Sequence, residues 1–237
     1  MKSMHKLSLV LVLVLSACGS DSPGDPDVDG GPNSPDARDG DSPCGFEDRF
    51  LPYQPGYKWT YRVTDLAVPG STNKSQSLTM ETDPDLGEVI VQTTNKGTGT
   101  TVSALKIVGD AVVRLRQLDM DGAGILERTT TYDPGQTRLD EVSEHLVLGA
   151  TWDDTYTIVV DKVGGTPVMG SRTDSWEVLG VDVDCESPFG SFKCLQLRRV
   201  RTAGGISDKQ FFFAKGIGKI KEVNASQIEE LVSCNIL

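Results

Sequence analysis

One histidine after the leader limits what this chain can do as a catalyst. His145 is the only one beyond His5 in 237 residues. A serine or cysteine nucleophile needs a base within hydrogen-bond reach. No Gly-x-Ser-x-Gly elbow stands ready to hold such a serine. His145 therefore reads as an exposed or capping side chain rather than a base. Ser71-Thr72-Asn73-Lys74 has the Ser-x-x-Lys form, but the Ser-Asp-Asn and Lys-Thr-Gly partner motifs are absent, and the segment reads as a loop. Asp119-Met120-Asp121-Gly122 hints at a calcium loop. With Gly122 set on the loop's glycine, Arg128 falls where a bidentate Glu is required, so a β-hairpin is the better account. The pairs Asp153-Asp154 and Asp182/Asp184 could serve hydrolysis only if carboxyls converged across a cleft; solvated strand edges are the simpler reading. Arg198, Arg199 and Arg201 form the one basic cluster, with Arg114 and Arg116 a candidate neighbour. It could hold an anionic headgroup or a carboxylate, although a solvated face balanced by acids is the commoner use of such a cluster. No enzymatic activity, cofactor or metal is expected from these residues.

The cysteines carry the clearest chemistry. Lys2 and Lys6 precede a short apolar run from Leu7 to Ala17, too short to span a bilayer and shaped as a secretory signal. Leu15-Ser16-Ala17-Cys18 then matches the lipobox. The chain resembles bacterial lipoproteins here, which implies cleavage before Cys18, a diacylglycerol on its thiol and an acyl chain such as palmitate on its amine. Stable anchoring needs more than one chain, and two or three on one cysteine meet that need. The membrane is the partner this implies. The expected location is the cell envelope, with the outer membrane favoured over the inner. Export leaves Cys44, Cys185, Cys194 and Cys234 in an oxidising compartment. Four cysteines allow three connectivities. Turn residues between Cys185 and Cys194 favour that pair, leaving Cys44 with Cys234. Zinc is rejected, because no Cys-x-x-Cys pair is present.

Residues 1–17 are thus a signal peptide, and 18–43 the lipidated cysteine with a tether. After Cys18 the tether holds seven Asp, five Gly, five Pro and four Ser, and no large apolar side chain except Val28. It cannot bury enough to offset the entropy of ordering and is expected to be disordered. As a coil it spans roughly 25–30 Å. The net charge of −11 becomes −13 once the leader lysines are removed, of which −7 belongs to residues 44–237. An acidic domain on an acidic tether excludes nucleic acid as a natural partner.

Residues 44–237 read as a single all-β domain. WTYRV, EVIVQTT, VVRLRQL, TYTIVVD, SWEVLGV, CLQLRRV and QFFFA are short runs rich in β-branched and aromatic residues. In VVRLRQL, Val113 and Leu115 alternate with Arg114 and Arg116. Turn signals separate the runs: Val68-Pro69-Gly70, Asn95-Lys96-Gly97, Asp121-Gly122, Asp133-Pro134-Gly135, Gly164-Gly165 and Gly204-Gly205. A curled antiparallel sheet or open barrel is expected. Residues 140–148 could form a helical turn or two. Gly56 and Trp59 recur as Gly149 and Trp152, an offset of 93 residues that suggests two related halves.

Three segments together resemble a group of β-rich bacterial envelope proteins, many of them lipoproteins. They are LPYQPGYKWTYRV at 51–63, PFGSFKCLQLRRV at 188–200 and FFFAKGIGKIKEV at 211–223. Pro52, Gly56, Trp59 and Tyr61 match the first element. Gly190, Phe192 and Cys194 match the second, with Ser191 in place of Thr. Ala214, Gly216 and Gly218 match the third, with Phe213 in place of Tyr. The resemblance covers most of the domain and implies no established activity. Some members look like the lipoprotein-carrier fold, a curled sheet around an apolar cavity. The functions it leaves open are a binding or structural module, a carrier of a lipid or other apolar ligand, and a hydrolase with an unfamiliar carboxylate site.

Overall fold

The computed structural model describes residues 44, 48–202 and 207–236. The signal segment, Cys18, the tether and Gly204-Gly205 lie outside the described residues. Among the described residues twelve strands follow one another: β1 (Tyr57–Asp65), β2 (Ser71–Asp83), β3 (Gly87–Asn95), β4 (Gly99–Val108), β5 (Ala111–Asp121), β6 (Leu126–Asp140), β7 (Thr151–Lys162), β8 (Val168–Ser187), β9 (Gly190–Arg201), β10 (Ser207–Ala214), β11 (Gly218–Asn224) and β12 (Gln227–Ile236). Each pairs antiparallel with the next, and β1 pairs with β12, so the sheet closes into a barrel. Closure removes the two unpaired edges that an open sheet would present.

All seven apolar runs are strands. Two turn assignments change. Asp133-Pro134-Gly135 is an irregularity inside β6, where the register against β5 shifts. Ser71–Lys74, expected as a loop, opens β2: it is too polar to read as a strand, but a barrel lumen accepts polar residues on one face. The helical turn appears as a 3-10 turn at Ser143–His145.

The barrel has two unlike ends. The chain enters at the end that carries Cys44, and 48–56 crosses that end as a plug. Phe50, Leu51 and Tyr53 are buried there. The Glu141 carboxylate accepts from the backbone N–H groups of Phe50 and Leu51, at 2.9 and 3.1 Å. The three segments of the resemblance meet around this plug. Trp59 Nε1 donates to the Ile217 carbonyl at 2.7 Å, and Gly216 N–H donates to the Arg49 carbonyl at 2.8 Å. The cystines are Cys44–Cys234, Cα atoms 5.5 Å apart, and Cys185–Cys194, 6.0 Å apart, as the turn residues favoured.

The echo between the halves is structural. Gly56 and Gly149 both adopt positive φ, 94° and 79°, a region that suits glycine. Gly56 N–H donates to Leu78 of β2 and Gly149 N–H to Val178 of β8, both at 2.9 Å. Trp59 then stands opposite Gln76, and Trp152 opposite Trp176. β1 and β7 therefore begin their six-strand halves in the same way. The register of β8 against β9 shifts on both sides of Gly180, where a Cβ would lie 2.4 Å from Val183 Cγ1, a clash that glycine avoids.

The two cystines close loops of very different length, with separations of 190 and 9 residues. In the chain-entropy treatment, loss of Cys44–Cys234 costs about 5 kcal/mol and loss of Cys185–Cys194 roughly 2.5–3 kcal/mol. Urea unfolding of the two double Cys→Ala variants should place them in that order. Equal losses would mean that the plug is held by its packing and not by the bond.

Candidate functional site

Strand alternation sends every second residue into the lumen, and those residues fall into two layers. Near the plug they are apolar: Tyr57, Trp59, Leu78, Ile90, Leu105, Val112, Leu139, Val178, Leu195, Leu197, Phe211, Phe213 and Leu231 are all buried. Toward the far end the same faces turn polar. β9 continues from Leu195 and Leu197 to Arg199 and Arg201, β12 from Leu231 to Glu229, and β2 from Leu78 through Gln76 to Lys74.

Asp174 is the centre of the polar layer, with no exposed surface. Arg201 clasps it with two bonds, Nε to Oδ1 at 2.5 Å and Nη2 to Oδ2 at 2.6 Å. The Tyr156 hydroxyl donates to Oδ2 at 3.1 Å and Gln136 Nε2 at 3.2 Å. Arg199 Nη1 stands 3.9 Å off. Burial works against the Asp174 charge, but Arg201 and Arg199 outweigh it and hold the carboxyl below its ordinary range. A second knot lies where β11 and β12 meet β1 and β2. Lys219 bridges Glu222 at 2.7 Å and Glu229 at 2.6 Å, and Lys74 also binds Glu229. Lys209 reaches Glu222 at 2.6 Å. Burial raises the Glu222 pKa, yet Lys219, Lys209 and Lys74 together hold it well below the usual range. Burial and the Lys219 charge bring Lys74 down to about 8.

The basic cluster is divided by the strand. Arg198 faces outward, bonded to Asp208 at 2.7 Å beside Glu177 at 3.8 Å. It borders a surface groove of about 360 Å³ with Thr151, Asp153, Ser175 and Glu177. Arg199 and Arg201 face inward, so the expected three-residue patch is corrected to an outer arginine and an inner pair. The neighbouring pair is divided too. Arg116 turns outward to Asp83. Arg114 turns into the lumen, although Val113 and Leu115 are the apolar members of that alternation. Register shifts on both sides of Arg114 put Arg114 and Gln117 inward together. Arg114 Nη1 donates to Gln117 Oε1 at 2.6 Å. Arg138, which no motif marked, joins them from β6 beside a register shift.

A cavity of about 30 Å³ lies between the two layers, bounded by Leu51, Tyr53, Trp59, Tyr61, Gln76, Arg138, Arg199, Phe211, Phe213 and Lys219. Arg199 also lies over the Trp176 and Phe211 rings, 5.5 and 5.2 Å from their centroids, a favourable cation–π placement.

The other candidates resolve simply. His145 Nδ1 bonds Asp140 at 3.0 Å and its ring stacks on Trp152 at 3.9 Å. Asp119 accepts from Arg128, Gln117 and Thr101, and Asp121 caps the β5–β6 hairpin. Asp153 is exposed, whereas Asp154 accepts the Thr137 N–H at 2.9 Å from the opposite face.

No protein-family profile and no curated protein matches the chain. Two solved structures resemble it. One is from Bacteroides fragilis, assigned as an exported protein with a YmcC-like fold. It is 14% identical with a TM-score of 0.43, and the match covers 81% of this chain and 100% of that one. The other is a Parabacteroides distasonis protein assigned as a lipoprotein. It is 10% identical with a TM-score of 0.39, over 81% of this chain and 99% of that one.

Two outcomes follow from the charged layer. Asp174→Asn leaves Arg201 and Arg199 buried beside a neutral amide and should cost about 3–5 kcal/mol in urea unfolding. A cost under 1 kcal/mol would place the pair in solvent. Glu222, Glu229 and Asp174 all have folded pKa values below their ordinary ones. Their contribution is present above the unfolded values and lost as pH falls. Tm should hold steady near neutrality and fall steadily below about pH 4.5, with a shallower fall in Glu222→Gln. A pH-independent Tm down to pH 3 would contradict the knot.

Proposed function

We propose that this protein is a lipid-anchored module of the bacterial cell envelope, cleaved before Cys18, whose closed barrel serves binding or architecture rather than catalysis. The observation that carries this is the join of a lipobox and an acidic spacer to a barrel of a particular form. The chain enters at one end, both termini of the sheet lie there, and Cys44–Cys234 ties them together. Pull on the tether is taken by covalent bonds, and the hairpins at the far end stay free to meet a partner. Those hairpins carry exposed Leu66, Val68, Ile125, Val163 and Met169.

The outer wall supports anchoring through the lipid and not through the barrel. A bilayer-spanning barrel presents an apolar band outward. Here Arg62, Glu81, Asp153, Asp161 and Lys193 stand exposed around the wall. The lumen speaks against the apolar-carrier alternative. Its apolar layer is filled by side chains and the plug, and 30 Å³ holds about two waters, not an acyl chain. The hydrolase alternative needs two converging carboxyls, one of them with a raised pKa. Among the inner carboxylates, Asp174, Glu222 and Glu229 are bound to cations and held low; Asp154, opposite Asp174 on β8, is raised by burial and by the Asp174 charge, but it is engaged by the Thr137 N–H and no open cleft joins the pair.

The test is metabolic labelling of the full chain with an alkyne palmitate in a bacterial host, followed by fractionation. The wild type should carry the label and sediment with membranes; Cys18→Ser should lose the label and stay uncleaved at the lipobox. Equal labelling of both would remove the anchor, and release of a wild-type soluble protein would make this an ordinary secreted domain.

A further inference from the structure

Beside the interior cavity, three arginines whose Nε atoms are buried and unpartnered gather with too little carboxylate between them. Arg199 is 6% exposed. Its nearest acid is Asp174, at 3.9 Å, already clasped by Arg201. Its Nε is buried and has no hydrogen-bond partner. Arg138 borders the same cavity, and its Nε is likewise buried and unpartnered. Arg114 has the same orphaned Nε; its bonded partners Gln117 and Tyr132 are neutral and the charge beside it is Arg138, of like sign. Burial, ahead of this repulsion, brings both Arg114 and Arg199 down to about 10. Lys219 on the opposite wall is neutralised by Glu222 and Glu229 and does not help.

Guanidinium groups only donate hydrogen bonds. A buried charge without a counter-charge is costly by several kcal/mol even after relaxation. The cavity walls deepen that cost: Trp59, Phe211, Phe213 and Leu51 are apolar and buried, so the local dielectric is low and a charge is felt strongly. The same walls would strengthen the hold on any group of opposite sign placed between the guanidiniums.

We infer that the cavity bounded by Arg138 and Arg199 is a binding site for a small monovalent anion of the chloride class. Its volume, about 30 Å³, has room for about two waters, which suits a monatomic ion better than a phosphate or sulfate group. The bound ion is a counter-charge that completes the inner polar layer and couples the two halves of the barrel, since Arg138 lies on β6 and Arg199 on β9. The site is independent of whether Cys18 is lipidated.

The test is thermal melting of the full chain in detergent, with chloride replacing gluconate at constant ionic strength. Tm should rise and saturate, by about 5–10 °C when chloride exceeds its Kd a hundredfold. Bromide should act like chloride, and sulfate should give no saturable rise. Gln76→Glu places a carboxylate on the cavity wall. It should raise Tm in gluconate above that of the wild type and abolish the response to chloride. As a second reading, a crystal of the wild type grown in bromide should show an anomalous peak within hydrogen-bond reach of Arg138 and Arg199. Identical wild-type Tm in chloride and gluconate would overturn the proposal. So would a Gln76→Glu protein that keeps the full chloride response, or bromide found on the surface alone.

Discussion

The pairing of β1 with β12 is the constraint on which the rest depends. Eleven hairpin-type connections make a meander that could end as an open, curled sheet. The ladder from Tyr57↔Ile236 to Asp65↔Gln227 turns it into a barrel with an inside. A slip at Val232, opposite Thr60 and Tyr61, lets Leu231 and Cys234, three residues apart, both lie buried across the seam from Tyr61 and Trp59. Once closed, the sheet has no edges to protect, and what remains is to fill the lumen. The plug and the aromatic side chains fill one half; hydrogen-bonded charges fill the other.

The polar half is costly to build, and its arrangement shows how the cost is met. Asp174 has four donor contacts from three residues, and Glu222 and Glu229 share Lys219. Networks of this kind are seldom the most stable filling; apolar side chains of similar volume often do better. They do fix register, because a one-residue slip would send each charge to the wrong face. With no α-helix among the described residues to pack against the sheet, that supplies a reason for the inner ions. The arginine side of the layer departs from the pattern, and its surplus charge beside the cavity is what marks that place as a site.

Much of this was legible in the residues. The apolar runs became strands because their β-branched and aromatic residues suit a half-buried pleat. The glycine–tryptophan echo became a repeated strand entry with matching hydrogen bonds, because a positive-φ glycine before a tryptophan, buried at Trp59 and half-buried at Trp152, is a geometric device and not a compositional accident. The inner arginines were half legible: Leu195, Leu197, Arg199 and Arg201 keep a period of two, so one face holds all four. Other features left no local signal. β2 is nearly all polar, and only its partner Glu229, 155 residues away, explains Lys74. Arg114 and Arg138 enter the lumen through register shifts that break the alternation a reader would count. Closure itself is a relation between the first strand and the last, and no window of sequence contains both.

The most direct test of this account is amide hydrogen exchange across the β1–β12 seam of the full chain. In a closed barrel, the ladder amides of residues 58–64 and 228–234 should exchange as slowly as those of the interior pair β8–β9, through global unfolding alone. Exchange at the seam many times faster than at β8–β9 would mean an open sheet with two free edges. The enclosed lumen, and the charged layer argued from it, would then be lost.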